Sequence, residues 1–353
     1  MTGYIIIFIY VIVTILALIE RYCGKYRDVI YITIGIVLIL TAGLREVGID
    51  PDSINYENSF INYQSADALD NIEISYIFLS SVVHTFSNDV HFLFLIYALL
   101  GVSLKMYAIR KLSHSVFIPL LIYTSYYFTA HECMQIRTGV LSGLYLIMLY
   151  LLVEKKRLPA LLLLLVGVLF HYSALLLLPF FFLSNKPLTM KKRIVWSSLI
   201  PLAYMIALSG FSVLFNMEGI PVVGEKLALY QQANEAGLSV NFINIFGPRE
   251  LMAGMLFFYL MFFHDTICKY NKSFPLLIKI FAIGFFINIA FSFFPVVSQR
   301  TYMLYGTITL ILYSNIYYTI RPRWASILVV SFISLIYLNY SLSFIGIDLL
   351  WKV

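Results

Sequence analysis

Four arginines stand at the ends of apolar stretches, where a cation needs something to hold it. Arg45 closes a run over 29–44, Arg137 opens one over 136–153, Arg249 opens one over 249–264, and Arg300 precedes one over 301–320. One such arginine can snorkel toward water along its own aliphatic stem. Four on the same side of a membrane call for another account, since charge at membrane depth usually faces a cavity and binds something. The planar guanidinium fork pairs with phosphate oxygens through charge-assisted hydrogen bonds, so a convergent set suits a diphosphate and needs no metal. Other polar residues lie at the same level. Asp50 and Asp52 follow Arg45, His131, Glu132 and Gln135 precede Arg137, and Tyr302 follows Arg300. His171 interrupts a long apolar run, next to Ser173, and is read equally as a functional group or as a satisfied core imidazole.

The elements that must carry these side chains are transmembrane helices. Charged residues make up 12% of the chain and hydrophobic ones 61%, about half the charge share of a soluble domain. A water-soluble core could not bury that much apolar surface, whereas lipid solvates it. Spans are expected near 3–19, 29–44, 89–109, 115–131, 136–153, 194–215, 249–264, 276–294, 301–320 and 325–344, with a shorter helix over 74–86. The expected fold is an all-α, polytopic integral membrane protein, one transmembrane domain over 1–353 with about 10–12 transmembrane helices. The stretch 3–19 has no basic region before it and is read as a retained first span.

Loop charge orients the spans. Arg21, Lys25, Arg27, Arg110, Lys111, the run Lys155-Lys156-Arg157, Lys186, Lys191, Lys192, Arg193, Lys269, Lys272, Arg321 and Arg323 lie in short loops or at their edges and are placed in the cytoplasm. The net charge of +6 is thus a topology signal and gives no reason to expect nucleic acid. Segment 46–73 has seven acidic residues, Glu46, Asp50, Asp52, Glu57, Asp67, Asp70 and Glu73, and no lysine or arginine. Loops 45–73 and 216–248, rich in Asn, Gln, Tyr and Ser, are expected outside, as are both termini. Both flanks of 158–184 are basic, so that segment is expected to enter the membrane and return, as a helical hairpin or broken helix with His171 at its apex.

Several classes are disfavoured. There is no GxxxxGK[ST], HExxH or GxSxG, which speaks against P-loop pumps and the common membrane proteases and esterases. No half-to-half repeat of the transporter kind is evident. Cys23, Cys133 and Cys268 lie far apart and offer neither a disulfide framework nor zinc-ligand spacing.

Arg45, Val47-Gly48-x-Asp50 and Asn55-Tyr56 together resemble the opening element of the EpsG family, which belongs with the Wzy-type bacterial polysaccharide polymerases. Gln135-Ile136-Arg137-x-Gly139 resembles its Gln-Ile-Arg element, Phe170-His171-Tyr172-Ser173-Ala174-Leu175 its Phe-His-x-Ser-Ala-Leu element, and Arg300-Thr301-Tyr302 its late Arg with a nearby Tyr. The matches come in family order. Pro51 stands where the family often has Thr, and His131-Glu132-Cys133-Met134 matches no family pattern.

The resemblance implies a glycosyltransferase of the inner (cytoplasmic) membrane, its active site facing the periplasm or cell exterior. It would join oligosaccharide repeat units carried on undecaprenyl diphosphate, in O-antigen, capsule or exopolysaccharide synthesis, and would work with a chain-length regulator protein. No cofactor or metal is expected. His171, Arg137 and Asp50 are the expected catalytic residues, with His171 favoured as the base and Glu132 a further candidate for it. Arg45, Arg249, Arg300, Gln135, Glu132, Tyr56 and Tyr302 are the expected substrate-binding residues. Rival readings are a lipid-linked oligosaccharide flippase, a ligase that transfers finished glycan, and a membrane O-acyltransferase.

Overall fold

The computed structural model describes residues 2–65, 72–209, 243–347 and 349. The regular elements among them are helical: α1 (Thr2–Ile19), α2 (Arg27–Gly43), α3 (Ser53–Ile61), α4 (Ile74–His84), α5 (Val90–Leu112), α6 (Phe117–Ile122) continuing as a π-helix (Tyr123–Met134), α7 (Ile136–Val153), α8 (Arg157–Phe170), a 3₁₀ helix (Tyr172–Phe182), α9 (Met190–Leu208), α10 (Pro248–Phe262), α11 (His264–Cys268), α12 (Phe274–Ala290), α13 (Pro295–Gly306), α14 (Thr309–Ser314) and α15 (Arg323–Ser343). Among the described residues, five helical stretches are long and apolar enough to cross a membrane: Thr2–Tyr22, Gly24–Gly43, Val90–Leu112, Ile136–Val153 and Arg323–Ser343. The protein is an all-α polytopic membrane protein. The stretch expected as one span over 301–320 is divided between α13 and α14, with the break at Gly306. The outer loop expected over 216–248 lies outside the described residues except for 243–248.

The chain forms two compact units. The first comprises Met1–Asn185, Asp265–Leu276 and Thr307–Val353, the second Lys186–His264 and Leu277–Gly306.

In the first unit α2 and α5 run antiparallel. The Tyr31 hydroxyl donates to Met106 O (3.0 Å) at one end, and the His91 ring lies against Arg45 O (3.1 Å) at the other. Polar ends define α5: the Asp89 side chain accepts from His91 N–H at its start, and Arg110 and Lys111 complement the helix dipole at its end. Helices α5 and α7 run parallel and very close, because Gly101, Gly139 and Gly143 remove the side chains between them. A Cβ at Gly101 would lie 3.5 Å from the Gly139 carbonyl carbon, and one at Gly143 would meet the Leu104 Cβ at 2.7 Å. In lipid, where burial of apolar surface drives little, such close approach supplies the packing.

Helix α8, at 14 residues, is about 21 Å long, short of the roughly 30 Å needed to cross the hydrocarbon core. It runs antiparallel to α7 and stops at His171, which adopts an extended conformation (φ −162°, ψ 130°). The 3₁₀ helix then turns back, and Phe180 reaches Tyr145, well down α7 (ring centroids 6.0 Å apart). The expected re-entrant hairpin is therefore present, with His171 at its apex. Gly167 makes it tight: a Cβ there would sit 2.8 Å from Leu141 and 3.4 Å from Ala174.

Candidate functional site

In the first unit Arg137, Glu73 and His171 come together from three separate elements. The π-helix ends at Gln135, whose N–H closes a long turn on Ala130 O (3.0 Å). The chain reverses there (φ −95°, ψ 63°), so Arg137 projects from the first turn of α7. π-Helical segments are uncommon and concentrate at functional sites. Glu73 precedes α4, holding its first turn through Tyr76 N–H to Glu73 O (2.9 Å), and His171 caps α8.

The Glu73 carboxylate lies between the other two. Its Oε2 accepts from Arg137 Nη1, and its Oε1 lies 3.7 Å from His171 Nε2. The Glu73 side chain is 8% exposed and that of Arg137 26%. The guanidinium also rests beside the rings of Tyr56 (5.6 Å) and Tyr76 (6.0 Å), a cation–π setting that holds its plane. The Tyr76 hydroxyl donates to Tyr56 O (2.6 Å), Tyr97 follows Tyr76 at 6.1 Å, and Phe170 meets Tyr97 edge-on. Tyr97 lies seven residues into α5, about 10 Å from its start, so the cluster is embedded rather than superficial.

The His171 tautomer follows from its neighbours. Nδ1 accepts a hydrogen bond from Ser173 N–H (3.1 Å), so in the neutral ring the proton sits on Nε2, the nitrogen that faces Glu73. Of the two groups, the carboxylate is the one with spare lone pairs.

Arg45 and Asp50 form a separate, closed pair. Nε lies 3.2 Å from Asp50 Oδ2, Nη1 donates to Ala42 O, and the guanidinium stacks 4.1 Å over Phe94. Both side chains are wholly buried. Asp50 Oδ1 also accepts from Ser53 N–H (2.9 Å) and Asp52 N–H (3.1 Å), which caps α3. The pair folds the segment that carries Tyr56.

Glu132, on the π-helix, is buried against Lys105. Lys105 Nζ donates to Glu132 Oε1 (2.5 Å) and Gly139 O (2.6 Å). Beside it the His131 Nδ1 shares a hydrogen bond with Ser142 Oγ (3.1 Å). A side chain at Gly101 would lie 2.9 Å from Glu132 Oε1, so that glycine makes room for the pair.

In the second unit Arg249 is held by the adjacent Glu250 through Nε (2.9 Å) and Nη2 (2.5 Å), and its guanidinium lies 5.7 Å from the Tyr302 ring centre. Asn288 supports Glu250 from α12 (3.4 Å). Arg300 is exposed and, among the described residues, has no carboxylate partner. A mostly apolar cavity of about 490 Å³ opens beside Glu250, walled by Tyr204, Phe246, Leu251, Phe258 and Phe285.

Reasoning from sequence passed over Glu73 and Lys105. Glu73 was one acidic residue among seven in an outer segment and counted only as charge. Lys105 lies inside a span, and an intramembrane lysine is itself a signal that a partner must exist.

No solved structure matches the chain. Among curated proteins it is 25% identical over 319 residues to the amylovoran biosynthesis protein AmsC of Erwinia amylovora, covering 86% of this chain and 83% of that protein. The model of the EpsG family matches residues 28–351, the same stretch that carries the arginine, Gln-Ile-Arg and Phe-His elements, and the chain belongs to the EpsG family.

Proposed function

We propose that the protein is a polysaccharide polymerase that joins oligosaccharide repeat units carried on a polyprenyl diphosphate, working from the extracytoplasmic face of the bacterial inner membrane. Membership of the EpsG family and the similarity to a protein of amylovoran biosynthesis support the class of product. The observation that carries the chemistry is the embedded Glu73 carboxylate, held between Arg137 and His171.

The reaction needs a base and a cation. The acceptor sugar hydroxyl attacks the anomeric carbon of the donor, the bond from that carbon to the diphosphate oxygen breaks, and the hydroxyl proton leaves. Glu73 is the group that takes it. Its partners keep it oriented, with Arg137 on one oxygen and the Nε2–H of His171 facing the other. The departing diphosphate is already an anion and asks for positive charge rather than a proton. Arg137, partly exposed, is the candidate in the first unit, and Arg300, exposed, with Arg249 and Tyr302, in the second. Tyr56 and Gln135 border Arg137 and are the candidate sugar contacts, while the apolar cavity beside Glu250 suits a prenyl tail. Arg45, Asp50 and Glu132 act through structure, because each is enclosed in an ion pair. A single displacement inverts the anomeric centre, and the linkage in the product reads this directly. Arginines replace a metal in this scheme, so polymerisation in membranes treated with a chelator should proceed unchanged. A chain-length regulator is the expected protein partner.

Deletion of the gene tests the function. Loss of long glycan chains with single repeats still reaching the surface supports a polymerase. Loss of every repeat from the surface points to the flippase.

A further inference from the structure

At the opposite end of the first unit from Arg137 lies a cavity of about 700 Å³ that the proposed reaction does not use. It forms where the end of α1, the start of α2, the start of α6 and the start of α15 meet. Arg21, Arg27, His114, Arg321 and Arg323 line it against a single carboxylate, Glu20. Glu20 is already engaged, with one oxygen accepting from Val116 N–H (3.0 Å), the other from the Ser115 hydroxyl, and Arg27 at 3.9 Å. Arg27 also has Asp28 at 3.9 Å. Two of the remaining arginines lean on aromatic rings. Arg21 lies over Tyr22 (4.5 Å), and Arg323 lies over Tyr317 (4.9 Å) and donates to its hydroxyl (3.2 Å). Among the described residues Arg21, Arg321 and Arg323 have no carboxylate partner.

The rest of the wall is aliphatic and aromatic apart from Ser115 and the tyrosine hydroxyls. Leu18, Ile118 and Ile327 come from helices that continue into the bilayer, and Trp324 stands exposed at the rim. A cavity with guanidinium groups at its mouth and span residues behind them matches an amphiphile: phosphate at the arginines, chain along the helices. Inorganic phosphate would use the arginines and leave the apolar wall empty. We infer that this cavity binds the phosphate headgroup of an anionic membrane lipid. Loop charge alone would give orientation; the convergence of three exposed arginines without carboxylate partners on the mouth of one cavity is what makes a site.

Trp324 gives a local readout. In a Trp196→Phe/Trp351→Phe background, the protein in nanodiscs should show stronger quenching of Trp324 by brominated phosphatidylglycerol than by brominated phosphatidylcholine. Replacing Arg321 and Arg323 by alanine should weaken the preference about tenfold or more, on roughly fivefold per arginine, while replacement by lysine should retain most of it. Equal quenching by the two lipids overturns the inference, and this comparison needs no arginine variant. An alanine variant that elutes as the parent does and keeps the full preference also overturns it. Millimolar inorganic phosphate that abolishes the preference identifies a free-anion site and overturns the lipid assignment.

Discussion

Glu73 Oε1 lies 3.7 Å from His171 Nε2, although one residue starts a half-length helix and the other is the apex of a helical hairpin. The contact binds the segment before α4 to the hairpin and gives the imidazole a defined role. With Nδ1 occupied by Ser173 N–H, the ring presents a proton to Glu73 and holds the carboxylate in place. His171→Gln, which keeps an N–H donor, should retain more polymerisation than His171→Ala, with both below the parent. Glycan length profiles at matched protein levels check this. Equal, full activity in both variants would remove His171 from the site.

Arg137 is predicted to act through its geometry as well as its charge. Lysine keeps the charge but loses the fork that reaches Glu73 while stacking beside Tyr56 and Tyr76. Arg137→Lys should lower activity at least tenfold with the protein still inserted. The Arg137→Lys and Glu73→Gln effects should be far from additive, because both act on one ion pair. In vitro polymerisation rates of the two single variants and the double variant give the coupling.

Arg45 and Asp50 should behave as a structural pair. Arg45→Ala leaves a buried carboxylate without its cation, at a cost of roughly 3–5 kcal/mol. The expected result is loss of folded protein. Replacing both together, Arg45→Met with Asp50→Asn, keeps the acceptor for Ser53 N–H and should recover much of the protein level. Immunoblots of membranes and thermal unfolding in detergent separate this from a defect in turnover alone.

Lys105 and Glu132 make the same argument deeper in the unit. Lys105→Met should destabilise by a similar amount, since it strands Glu132 and removes one of the donors to the Gly139 carbonyl. Pairing it with Glu132→Gln should restore stability in part. Gly139→Ala should be poorly tolerated, because its Cβ would lie 2.8 Å from the His131 carbonyl oxygen and backbone cannot swing aside. Detergent thermal-stability assays rank the three.

Much of this architecture was legible in the chain. Hydropathy located the five helices that are long and apolar enough to cross a membrane among the described residues, and the basic residues flanking 158–184 required a segment that enters and returns with His171 at its apex. The pairing of Arg137 with Tyr56 could be expected only as proximity to a common level. What the sequence withheld was which carboxylate answers each arginine. Arg45 has Asp50 five residues away and Arg249 has Glu250 next to it, but Arg137 is answered by Glu73 across two elements. Burial explains the difference in role. A guanidinium enclosed with its carboxylate has no face left for substrate, and nothing in the composition of an outer segment tells an enclosed acid from a presented one. Lys105 is a similar case, since periodicity marks the helix but not the π-helical turn that delivers Glu132 to it.

The account rests on Glu73 as the base, and the most direct measurement is the polymerisation rate of Glu73→Gln beside Glu73→Asp, with lipid-linked repeat units supplied to purified protein. Loss of a positioned general base lowers rate by about 10²–10⁴. Glu73→Gln should fall in that range, at unchanged thermal stability, with a smaller loss for Glu73→Asp. A Glu73→Gln protein that polymerises at the parental rate would contradict it.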